Sequence, residues 1–113
     1  MSANFKDGLI RDGIGIGTGK TLGNVKDNII RNGNGMPGTG SAVGNVKDGV
    51  IRSGLGSVGN GTPILNVQNG IVRTGSGSGN IIGKVKDFSI KGMERELDSV
   101  MVASYHFLVK KII

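Results

Sequence analysis

Nine basic residues of this chain stand at two repeating phases. Arg11, Arg31, Arg52, Arg73 and Lys91 form one set, and Lys6, Lys26, Lys47 and Lys86 form a second, interrupted by Gln68. Cations brought to one phase of a repeating structure add their fields. The chemistry on offer is therefore electrostatic: holding phosphate, sulfate or carboxylate groups, or the backbone of a polyanion. The opposing reading is a solvated face, in which Asp7, Asp27, Asp48 and Asp87 partly neutralise the lysines and the surplus serves solubility. The surplus is confined to one part of the chain. Up to Lys91 there are eleven Lys and Arg against five Asp, whereas beyond Gly92 there are three of each sign. Aromatic platforms for stacking bases are nearly absent from the basic region, which disfavours nucleic acid as the partner and leaves an anionic ligand.

Other residue patterns fail their chemical context. "GIGIGTGKT" at 13–21 ends like a phosphate-binding loop, but that loop needs Gly six residues before its Lys, and six before Lys20 stands Ile14. Two GxGxxG stretches, at 33–38 and 54–59, open no helix, so the dipole that would hold a dinucleotide is missing. Each Asp of the Asp-Gly pairs follows a Lys, which opposes calcium, and Pro63 follows the Asn60-Gly61-Thr62 glycosylation pattern. The chain has no cysteine, and its single histidine, His106, has no Asp or Ser placed to build a triad and too few companions for a metal. Glu94 and Glu96 are two apart on an expected helix and so point in different directions. No enzyme, metal site or cofactor is expected.

The cations are carried by a phrase written five times. "NFKDGLIRDG" at 4–13 is followed by "NVKDNIIRNG" at 24–33, "NVKDGVIRSG" at 45–54, "NVQNGIVRTG" at 66–75 and a degenerate "KVKDFSIKG" at 84–92. The steps are 20, 21, 21 and 18 residues, and a period of this size marks a ring, a solenoid or an array. The pairs Asp7-Gly8, Asp27-Asn28, Asp48-Gly49 and Asn69-Gly70 lie between β-branched flanks, which predicts hairpins with type I′ turns. Such turns place Phe5/Ile10, Val25/Ile30, Val46/Ile51, Val67/Val72 and Val85/Ile90 as apolar pairs facing inward, with Lys26, Ile29 and Arg31 on the opposite face. Leu9, Ile29, Val50 and Ile71 are expected to pack between neighbouring hairpins. Phe88 and Ser89 break the fifth turn. With 22 glycines and 36% hydrophobic residues, one hairpin cannot bury its own pair, so the copies must share a core or self-associate.

Tandem hairpins carrying G-[NK]-V-K-D-G-x-I-R-x-G, closed by a short helical piece and an apolar tail, resemble the five-fold β-flower family of small bacterial proteins. The resemblance implies a mainly β fold, a propeller-like ring of about five short hairpins, and brings no catalytic residues with it. A ring requires the first and fifth copies to touch; a solenoid does not. The expected organisation is one domain over 1–113, with repeats at 4–23, 24–44, 45–65, 66–83 and 84–92 and a C-terminal segment at 93–113.

That segment is glycine-free. Acidic residues open it and two lysines precede its end, which predicts a helix from about Met93 to Ala103 and then an extended or helical apolar end. It either plugs the ring or pairs with another subunit. No stretch reaches the length of a membrane span, and "MSANFKDG" lacks the features of a signal peptide, so a cytoplasmic location is expected, with a cleaved precursor left open. The function expected from the residues is a non-enzymatic structural or protein-interaction module that forms a homo-oligomer through its C-terminal segment. The alternative is a binder of anionic ligands through the row Arg11, Arg31, Arg52, Arg73 and Lys91.

Overall fold

The middle pair of each of the first four phrases takes left-handed backbone on both residues, and the chain reverses there. The computed structural model describes residues 3–113; Met1 and Ser2 lie outside the described residues. The φ angles are 53° and 84° at Asp7-Gly8, 54° and 63° at Asp27-Asn28, 52° and 78° at Asp48-Gly49, and 54° and 76° at Asn69-Gly70. Asp and Asn tolerate this region, and the resulting turn matches the twist of its strands. Four hairpins follow: β1 (Ala3–Lys6) with β2 (Leu9–Asp12), β3 (Lys20–Lys26) with β4 (Ile29–Asn32), β5 (Ala42–Lys47) with β6 (Val50–Ser53), and β7 (Thr62–Gln68) with β8 (Ile71–Thr74). With β9 (Ile81–Lys84) they make one antiparallel sheet in chain order.

The register within the hairpins pairs Phe5 with Ile10, Val25 with Ile30, Val46 with Ile51 and Val67 with Val72. Ile10, Ile30, Ile51 and Val72 are fully buried; Phe5 and Val67 are half-buried against the core. Between hairpins the register slips once at the same place, after Ile10, Ile30, Ile51 and Val72. The extra residues are Leu22, Val43, Ile64 and Ile82. All four pack on the core. A bulge bends its strand and increases the twist, so four in phase make each hairpin turn relative to the last.

The fifth copy is not a hairpin. Val85–Phe88 forms a 3-10 turn in which Asp87 Oδ2 accepts from the Lys84 N–H at 3.0 Å. Phe88 stands where the other copies have Gly or Asn, and a bulky residue resists the left-handed backbone a type I′ turn demands. β9 pairs with β8 alone, so the sheet is open. The chain beyond the 3-10 turn nevertheless meets β1. Phe5 N donates to Lys91 O at 2.7 Å, Lys91 N donates to Ala3 O at 3.2 Å, and Asn4 and Lys91 form a parallel bridge.

The C-terminal helix starts later than its composition suggests. Met93 is buried, Glu96 N bonds back to Met93 O, and Leu97 is extended (φ −61°, ψ 142°) ahead of α1 (Asp98–Ser104). Anchoring Met93 in the core uses the first residues for turns, and helix begins only at Asp98, whose charge suits a helix N-terminus. A π-helical turn (Tyr105–Val109) follows, and Lys110 is extended. Val100, Val102 and Ala103 are buried, and α1 packs against β5, β6 and β7. Two glycines admit the segment. A Cβ at Gly23 would lie 2.6 Å from Leu108 Cδ2, and one at Gly44 would collide with the Phe107 ring. The tail thus covers the apolar face of its own sheet. No described helix is long and apolar enough to cross a membrane.

Candidate anion-binding face

Strand alternation sends the residue after each buried Ile or Val to the face opposite the core. Arg11, Arg31, Arg52 and Arg73 occupy that position in β2, β4, β6 and β8, each just past a bulge. All four are half-buried. Successive members are two strand spacings apart, roughly 10 Å of sheet. Lys91, the fifth cation, is exposed and sits where the chain meets β1.

Directly across each hairpin from an arginine stands an asparagine: Asn4 opposite Arg11, Asn24 opposite Arg31, Asn45 opposite Arg52, Asn66 opposite Arg73. These amides are buried because the Gly-rich loops fold back over them. Asn45 Nδ2 donates to Asn60 O at 2.8 Å and its Oδ1 accepts from Gly59 N at 2.9 Å. Asn24 makes the same pair of bonds with Thr39 O and Gly38 N, both at 2.9 Å. Asn4 donates to Gly13 O and Thr18 O and accepts from Gly17 N. Asn66 donates to Thr74 O and Gly75 O. The asparagine row positions the loops, and the loops frame the cations. Residue typing alone does not single out this row; the signal that could have found it is the Asn at the first position of the phrase in the four good copies.

The loops also hold the second set of cations. A Cβ at Gly17, Gly38 or Gly59 would lie 3.2–3.3 Å from the Cδ of Lys6, Lys26 or Lys47 and 3.7–3.8 Å from its Nζ. Each lysine therefore lays its stem on a loop glycine and leaves its ammonium at the loop, which keeps the charge hydrated while using the stem for packing. Gly40 shows why these loops need glycine: its φ is +91°, and a Cβ would collide with Asn32 O. Arg52 Nη1 donates to Gly61 O at 3.3 Å, while its Nε is buried without a partner. A crevice of about 380 Å³ beside Arg11 is lined by Asp7, Leu9, Thr21 and the tip of the second loop, Asn34–Pro37.

The remaining sequence candidates lie elsewhere. Asp7, Gly8, Asp27, Asn28, Asp48, Gly49, Asn69 and Gly70 are turn residues, and the Asp side chains at 7, 27 and 48 are exposed. His106 is buried in the π-helical turn, where its Nδ1 accepts from Ile112 N at 2.9 Å. Burial lowers its pKa from the usual histidine range, and Lys111 adds to the effect. The imidazole is thus held neutral, with its proton on Nε2. Glu94 and Glu96 are exposed on the approach to α1; the backbone N–H groups of Glu94 and Gly92 hold the Glu94 carboxyl below its ordinary value. Among the described residues no group of three or more His, Asp or Glu is placed to hold a metal ion. No family model matches the chain, and neither a curated protein nor a solved structure does.

Proposed function

We propose that this chain is a non-enzymatic interaction module that binds anionic partners through the row Arg11, Arg31, Arg52 and Arg73, extended by Lys91. The carrying observation is the common register of the four arginines: each stands past a bulge and opposite a buried, loop-clamping asparagine. A rigid frame of this kind holds several cations at fixed spacing, so an extended anion meets them together without ordering them first. Arg52 Nε–H, buried and unpartnered, supports a site with a donor left to give to an anionic acceptor. In this reading the five copies close into a ring, as in the β-flower family that the repeat resembles. The support for closure is the pair of backbone bonds joining Lys91 to Ala3 and Phe5.

Self-association through the C-terminal segment is the second reading. Leu97, 64% exposed, and Ile113, 45% exposed, favour it as apolar side chains that the segment leaves uncovered.

The test of the first reading is the double variant Arg31→Glu/Arg52→Glu, titrated against fluorescein-labelled heparin and a short DNA duplex. Binding is expected to fall at least a hundredfold while the thermal midpoint stays near the parent's. Unchanged binding by the folded variant would refute the row as the binding surface.

A further inference from the structure

The Gly-rich loops carry a feature that binding to a soluble polyanion does not require. Three of them raise a large apolar side chain into solvent: Ile14 is 81% exposed, Met36 75% and Leu55 81%. Single exposed apolar residues are ordinary on protein surfaces. These three stand on three consecutive loops, and each loop carries a lysine stem on a glycine a few residues on: Lys6 on Gly17, Lys26 on Gly38, Lys47 on Gly59. The tips also share crevices with the proposed cation row. Met36 lines the crevice of Arg11, and Ile14 lines, with Lys91, a cavity of about 580 Å³ where the fifth copy meets the first. The second loop reaches across its neighbour, since a Cβ at Gly8 would lie 2.7 Å from Pro37 Cγ. Asp7 is the carboxylate in the Met36 crevice, and Glu94 and Asp98 line the Ile14 cavity. The repeats keep a surplus of positive charge over these acids.

Apolar tips interleaved with cations suit one kind of anionic surface. A bilayer with acidic headgroups offers negative charge at the plane where lysine and arginine lie, and hydrocarbon just beneath it where Ile, Met and Leu side chains can be buried. A soluble polyanion offers the first but not the second. We propose that the loop face is a peripheral docking surface for an anionic lipid membrane, with Ile14, Met36 and Leu55 entering the headgroup boundary while Lys6, Lys26, Lys47 and the arginine row engage acidic headgroups. The chain lies on the membrane in this scheme and does not cross it. The inference rests on the cation row proposed above and assigns its partner.

The experiment is co-sedimentation of the full chain with vesicles of phosphatidylcholine alone and of phosphatidylcholine mixed with phosphatidylglycerol, run beside heparin binding. The parent is expected to sediment with the mixed vesicles and not with phosphatidylcholine alone. The triple variant Ile14→Ser/Met36→Ser/Leu55→Ser alters only exposed tips, so it should fold. It is expected to lose roughly tenfold per tip in vesicle partitioning, with heparin affinity unchanged. Each cation reversed should weaken vesicle binding by roughly fivefold or more. Vesicle binding by the triple variant equal to the parent's overturns the inference. A parent that binds heparin but not mixed vesicles overturns it too and leaves the cation row standing. A parent that binds neither overturns both readings.

Discussion

Replacing Asn45 by alanine removes two hydrogen bonds at the centre of the repeat architecture. The amide holds Asn60 O at 2.8 Å and Gly59 N at 2.9 Å, and the side chain is fully buried. A net value of about 1 kcal/mol for each bond gives a loss of about 2 kcal/mol. The loop is exposed beyond Asn60, so water can reach part of what the amide leaves, which keeps the loss from rising much higher. For a domain of this size that corresponds to a fall in thermal midpoint of roughly 8 °C. The assay is urea denaturation followed by far-UV circular dichroism, with Asn34→Ala as the control. Asn34 is exposed on the second loop, and its replacement should change stability by less than about 0.5 kcal/mol. Asn4, with three bonds to Gly13, Thr18 and Gly17, should cost about 3 kcal/mol when replaced by alanine. An Asn45→Ala variant no less stable than Asn34→Ala would refute the claim that these amides pin the loops.

Two further outcomes follow from the C-terminal segment. Phe107→Ala empties the space above Gly44 and should destabilise the fold by about 2 kcal/mol, seen as a lower urea midpoint; an unchanged midpoint would mean that the segment is not part of the core. His106 is kept neutral by burial, so the unfolded chain binds more protons than the native one as pH falls. Stability is therefore complete above about pH 6.5, the unfolded histidine value, and declines as pH drops below it. Protonation at Nδ1 also removes the acceptor for Ile112 N. A His106→Gln variant should show a flatter urea midpoint between neutral and mildly acidic pH; the same slope as the parent would assign the acid loss to other groups.

The hairpins were legible because one short-range signal decides each of them. Asp-Gly, Asp-Asn and Asn-Gly between β-branched residues fix the turn, the turn fixes the register, and the register fixes which of Val25, Ile30, Val46 and Ile51 turn inward. The failure of the fifth turn was legible in Phe88 for the same reason. The bulges were not, because a bulge depends on how one hairpin meets the next. Leu22, Val43, Ile64 and Ile82 look out of phase in the sequence, and only the contact between hairpins turns them inward. The asparagine row was missed because Asn at the start of the phrase reads as a polar turn residue until a loop is folded over it; in the fold Asn24, Asn45 and Asn66 stand inside β3, β5 and β7. The late start of α1 depended on Met93, whose burial is set by distant parts of the chain. Of the candidate site, the phase of the cations was visible from the start. Their setting beside the clamped loops was not.

The most direct test of the cation row is the salt dependence of heparin binding by the parent chain, measured by fluorescence anisotropy at about 50 and 200 mM salt. Arginines held in one row release several counterions together, so affinity should fall steeply, by roughly tenfold or more for every two or three cations engaged. Absence of binding at the lower salt, or an affinity that does not change between the two, would contradict the account and leave the positive charge as a property of a solvated face.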